Sequence, residues 1–225
     1  MTTEYRDPRR SAQVLEWALS AFIVMDVIFT LGEVYTVGAI SQFLAGSDDM
    51  GALEASDQIG VVTGGIFFLA YLVCVILTCV WIYRVNKNAY YLNAEHMTVS
   101  PGWNVGYFFI PFANLLMPFR GLRETYQVST NTQSPDEVPV PGLMRLWWGC
   151  WLLSGFLGQL SFRLSLRAVT LEDLLLISQL NIVSIVPELA AARMLLWLVR
   201  DVTRNQQCSL VTSEAPTHVG HVAEI

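Results

Sequence analysis

The chain has 225 residues, 53% of them hydrophobic and 14% charged, with a mean hydropathy of +0.45. An ordinary soluble domain carries roughly 25% charged residues, so a soluble globule is excluded, and an excess of 19 acidic over 13 basic side chains excludes a nucleic-acid-binding protein. The formal charge of −6 is also sorted along the chain: Arg6, Arg9 and Arg10 crowd the N-terminus, whereas Asp48, Asp49, Glu54 and Asp57 share one loop without a basic residue.

About 20 helical residues at 1.5 Å each cross a hydrocarbon core of about 30 Å. Behind a basic N-terminus at 1–13, the first qualifying segment is Val14–Leu44. It is too long for a cleaved signal sequence and is interrupted by Asp26 and Glu33, so it reads as an uncleaved membrane helix. Ile59–Tyr83 is the second span, Leu143–Phe162 the third and Leu174–Val199 the fourth, all within a single membrane domain over 14–200. Residues 201–225 are polar and aperiodic and read as a disordered tail.

Between the second and third spans, residues 103–118 are apolar but broken. Pro101 and Trp103 open the stretch with a turn and an interfacial aromatic, Pro111 and Pro118 divide it, and Asn114 lies between them. Proline removes a backbone donor and clashes with the preceding turn, so the spacing predicts a re-entrant element that enters and leaves on one side. After Pro118, the apolar residues Phe119, Leu122 and Tyr126 recur at helical spacing among Arg120, Arg123, Glu124 and Gln127. Residues 119–129 thus read as an amphipathic helix lying on the membrane surface. The expected fold is an all-α integral membrane protein with four transmembrane helices, a re-entrant segment and an interfacial helix.

Charge supports this count. With four spans, eleven of the thirteen basic residues share the side of the termini and only Arg163 and Arg167 lie opposite; with five, the split is seven to six. The positive-inside rule therefore favours four spans with both termini in the cytoplasm. Trp17, Trp81, Trp103, Trp147, Trp148 and Trp197 would then form an aromatic belt on that side. Trp81-Ile82-Tyr83-Arg84 also echoes Trp197-Leu198-Val199-Arg200, as two helices leaving the membrane on one face would.

The run Ser100-Pro101-Gly102-Trp103, Phe109-Ile110-Pro111, Ala113-Asn114-Leu115 and Pro118, continued by Arg123-Glu124 and by Trp147-Trp148, resembles the bacterial multi-pass membrane family catalogued as domain of unknown function 4328. The likeness spans roughly Ile59 to Gln206, and departs from the pattern at Met117 and in the acidic residues of the first helix. It implies a bacterial inner-membrane protein with several helices, and it carries no functional residue over.

The chemistry-bearing residues are few. Cys74, Cys79, Cys150 and Cys208 form neither a disulfide framework nor a zinc spacing, and His96, His218 and His221 lie outside the apolar runs, so no metal or cofactor is expected. No nucleophile and base stand at catalytic spacing, so an enzyme is not expected. Charged groups in mid-bilayer cost at least about 2.5–3.5 kcal/mol each. Asp26 and Glu33 share one face of the first helix, while Ser178, Asn181, Ile185 and Glu188 form a mainly polar stripe on the last, with Arg193 just over a turn beyond. The preferred reading is a non-catalytic component or organiser of a membrane assembly. In it, Phe119, Leu122 and Tyr126 dock other membrane subunits or a second copy, and the intramembrane acids are paired structurally, Glu188 with Arg193 or Asp26 with an arginine of the interfacial helix. The alternative is a small ion or proton channel or carrier using Asp26, Glu33, Asn114, Asn181 and Glu188.

Overall fold

The computed structural model describes residues 4–214, and every regular element among them is helical. Helix α1 (Arg9–Leu44) begins directly behind Pro8 and ends where Gly46 takes φ +99°, a conformation open to glycine at no steric cost. Helix α2 (Met50–Leu92) starts inside the acidic loop because the Asp49 carboxylate accepts the Ala52 N–H at 3.1 Å. It outruns the expected 59–83 at both ends. Short α3 (Pro101–Gly106) and two single 3-10 turns, Tyr107–Phe109 and Ala113–Leu115, lead to α4 (Met117–Thr130), and α5 (Gly142–Ser165) leads to α6 (Leu171–Glu214). Thr170 and Asp173 cap α6 reciprocally, each side chain accepting the other's backbone N–H.

Three helices, α1, α2 and α6, are long and apolar enough to cross a membrane. Helix α5 has 24 residues, about 36 Å, but three tryptophans, Arg145 and Gln159 dilute its apolar character. Helices α1 and α2 form an antiparallel pair, and α6 packs against both α1 and α5. At Gly32 the first pair approaches closely: a Cβ there would stand 3.1 Å from Ile59 Cγ2.

The densest packing lies at the end of the bundle where the described residues begin and end, its termini end. Trp81 and Val85 of α2, Leu122 and Tyr126 of α4, Met144 and Trp147 of α5, and Leu198, Val199 and Val202 of α6 make one core there. A buried polar network runs through it. Gln206 donates to the Val85 carbonyl (2.7 Å) and to Ser129 Oγ (3.0 Å), and accepts from Asn88, which also bonds both backbone groups of Arg6. Asn86 donates to Thr125, and Trp81 to Thr203.

Three expectations are corrected by this layer. Helix α4 does not lie exposed on a surface: Leu122 and Tyr126 are buried, Phe119 is half-buried against the core, and Glu124, Thr125 and Ser129 on its polar side are buried too. The tail is helical through Glu214 and packed as far as Ser209, because Asp201, Asn205, Gln206 and Ser209 all bond α4; residues 215–225 lie outside the described part. The tryptophans also divide. Trp17 and Trp103 are exposed as membrane-interface anchors would be, whereas Trp81, Trp147 and Trp148 are core residues.

Glu124 shows how the polar side of α4 is satisfied. It accepts from Thr98 N (2.9 Å), Val99 N (3.2 Å), the Thr98 hydroxyl and Arg120 Nε (3.1 Å), which clamps the loop after α2. Burial alone would push its carboxyl up, but the hydrogen bonds outweigh it and hold the group below its ordinary 4.5. A carboxyl depressed on folding adds stability above its unfolded pKa and loses it as pH falls through the folded value. Thermal unfolding in detergent should therefore show wild-type stability falling as pH drops below about 4.5, whereas Glu124→Gln should be about 2 kcal/mol less stable at pH 7 and fall less steeply across that window, with Asp7 and Asp173 supplying what remains.

Candidate functional site

The polar stripes of α1 and α6 face each other within the apolar slab. The Asn181 amide donates to Glu33 Oε1 at 3.1 Å, and its oxygen accepts from Ser161 Oγ of α5, so one side chain joins three helices. Seven residues along each stripe, Asp26 of α1 meets Glu188 of α6 carboxyl to carboxyl. Asp26 is 2% exposed, and no donor from another residue reaches its Oδ2. Beside the pair opens a cavity of about 240 Å³ walled by Phe29 and Phe67, which stack at 4.9 Å, with Ser161, Asn181, Ser184 and Glu188 supplying its polar side.

Local sequence explains why the carboxyls stand free of their own helices. The hydroxyls of Thr30 and Ser184 are spent on carbonyls one turn back, Thr30 on Asp26 O and Ser184 on Leu180 O. Pro187, the residue before Glu188, lacks an N–H, so the Val183 carbonyl has no amide donor one turn on. Two carboxylates in contact, without an arginine or lysine against them, repel strongly at low dielectric. The arrangement holds with one proton shared between them or with a cation drawn in from the cavity.

Of the residues singled out from sequence, Asp26, Glu33, Asn181 and Glu188 converge here. Arg193 does not: it is exposed and pairs with no carboxylate among the described residues, so the partner of Glu188 is Asp26. Asn114 sits apart, in the second 3-10 turn, its N–H bonded to Ile110 O. Ser161 and Ser184 were missed, although Ser184 falls three residues after Asn181 and four before Glu188, on the stripe itself.

The proline-rich segment is built as a separate unit. Pro101 occupies the first turn of α3, the exposed Trp103 ring packs on Tyr107, and the chain reverses at Pro111-Phe112, where Phe112 takes φ +64°. Pro118 sits buried in the first turn of α4. The Leu115 carbonyl accepts from Trp148 Nε1 of α5 at 3.0 Å, and Phe108 and Phe119 pack on the same indole. Asn104 lies directly over Gly121, where a Cβ would come within 2.3 Å of its oxygen, so α3 can cross α4 only at glycine.

This prolyl hairpin, its glycine crossing and the Trp147-Trp148 start of α5 all fall inside residues 46–204, which match the family model described as a domain of unknown function (DUF4328). The chain belongs to that family. No curated protein and no solved structure matches it. Helix α1, which carries Asp26 and Glu33, precedes the matched region, so the DUF4328 model covers only the α6 half of the carboxyl pair.

The pairing is testable by a double-mutant cycle on thermal stability. Asp26→Asn and Glu188→Gln should be non-additive by about 0.5–3 kcal/mol. Arg193→Gln should add simply to Glu188→Gln, because those two side chains do not meet.

Proposed function

We propose that this is a non-catalytic multi-pass protein of the bacterial inner membrane that passes protons or small monovalent cations through the Asp26–Glu188 pair. The observation that carries the reading is a buried pair of acids with no basic partner among the described residues, next to a cavity with polar groups from α5 and α6. Intramembrane carboxyls that serve structure alone are expected to be matched by a cation. Glu33, held by Asn181, extends the polar path towards the acidic loop. Tyr71 of α2 lies near enough to feel the Glu188 charge.

In this reading α5 is the fourth span. It runs beside α6 and shares the Ser161–Asn181 bond, which needs both helices at one depth. Both termini then lie in the cytoplasm, and residues 103–118 dip into the membrane from that side. The exposed side chains of Phe109, Phe112 and Leu116 at the hairpin turn suit insertion into lipid. Cysteine placed at Ser134 should accept an impermeant thiol reagent from the cytoplasmic face alone.

A second reading, an assembly component or self-associating subunit, draws support from the thin packing of the slab. Only 22% and 17% of the most apolar windows of α1 and α2 are buried, against 50% in α6. It no longer draws support from Phe119, Leu122 and Tyr126, which are turned into the protein.

Purified protein in liposomes separates the two. Proton or monovalent-cation flux should be robust and should be abolished by Asp26→Asn or Glu188→Gln, with both variants still folded. Wild-type liposomes no leakier than empty ones would leave the assembly reading in its place.

A further inference from the structure

A second concavity, of about 400 Å³, lies at the termini end of α2 and is lined by Arg6, Arg84 and Lys87 together with Val80, Tyr83 and Val105. Three cations converge there without a counter-charge: among the described residues none of them is within ion-pairing distance of a carboxylate, and the nearby Asp7 is taken by Arg9. The cluster is also fixed. Asn88 bonds both the N–H (3.1 Å) and the carbonyl (2.9 Å) of Arg6, and Gln206 in turn holds Asn88, so the N-terminal arm is pinned where its guanidinium faces the groove.

The position of the groove along α2 identifies its occupant. Arg84 directly follows the apolar run that ends at Tyr83, and Lys87 lies under one turn further out. Below them Ile76, Val80 and Tyr83 stand exposed at helical spacing, an apolar track leading from the slab to the cations. The exposed Trp103, on the helix that forms the opposite wall, marks the depth of the headgroups.

We infer that this groove is a binding site for an anionic phospholipid, with the phosphodiester between Arg6, Arg84 and Lys87 and an acyl chain along Val80 and Ile76. Guanidinium groups match phosphate oxygens in bidentate geometry, and basic pockets between membrane helices on the positive side select acidic headgroups. A free phosphate would satisfy the cations but would leave the apolar track empty. The site is independent of the Asp26–Glu188 pair, which lies deeper and on other helix faces.

The test uses the full chain in an uncharged detergent, with thermal unfolding followed during titration with phosphatidylglycerol, phosphatidylcholine or inorganic phosphate at constant ionic strength. Phosphatidylglycerol should raise the unfolding midpoint saturably; the other two should not. Each basic side chain near a headgroup contributes roughly a fivefold factor, so Arg84→Gln with Lys87→Gln should weaken the apparent affinity about 25-fold. Arg6→Gln, whose backbone bonds to Asn88 survive, should weaken it about fivefold and decides the matter should the double variant fold poorly. Arg163→Gln with Arg167→Gln, at the opposite end, should bind as the wild type does. Equal effects of phosphatidylcholine or of inorganic phosphate, or wild-type affinity in Arg6→Gln, would overturn the site.

Discussion

Gln206 is wholly buried where three helices meet, and its amide must find every partner inside the protein. It does so only when α2 offers the Val85 carbonyl and Asn88, and α4 offers Ser129. A buried amide left unpaired costs about 1–3 kcal/mol per group, so the network selects one register of these helices over its neighbours. Asn88 carries the same constraint on to the N-terminal arm. The basic groove on α2 and the clamp of Glu124 on the loop before α3 both inherit their geometry from this knot.

The knot matters because the rest of the bundle has weaker means of specifying itself. Lipid tails are as apolar as leucine, so burying an apolar side chain between helices in a membrane gains little beyond close packing. The exposed leucines, valines and phenylalanines along α1 and α2 are consistent with that, facing outward without penalty. Within the slab, order comes from close approach at Gly32 and from the few polar contacts that cross helices, Asn181 with Glu33 and Ser161 foremost. The protein is thus specified at two levels: a tightly packed layer at the termini end and a sparse polar stripe through the slab.

Much of this was legible in the sequence, and for physical reasons. Apolar runs of sufficient length can only be helices in a membrane; proline at 101 and 118 suits a helix start and proline at 111 a turn; and the seven-residue spacing of Asp26 and Glu33 puts them on one face whatever packs there. Sequence periodicity does not say what covers a face. Leu122 and Tyr126 have the spacing of a surface helix, but the cover is α2 and α6 rather than lipid or a partner, and Glu124, Thr125 and Ser129 are polar because they meet buried polar groups, while Arg120 and Arg123 stay exposed. The same ambiguity hid the helical tail: Asp201, Gln206 and Ser209 look solvated until their partners on α4 are known. The partner of Glu188 was missed because Arg193 is near in sequence and opposite in charge, and a contact between two acids is the pairing that charge arithmetic disfavours.

The bond from Trp148 to the Leu115 carbonyl satisfies a backbone group in an irregular turn, and it also ties the start of α5 to the prolyl hairpin. Helix α5 lines the cavity with Ser161 in its last turns, while its first turns grip the prolyl hairpin. Because a helix is stiff along its length, these two contacts act together: the indole fixes the start of α5 on the hairpin, the Ser161–Asn181 bond fixes its far half on α6, and the wall that α5 gives the cavity is thereby held from both ends.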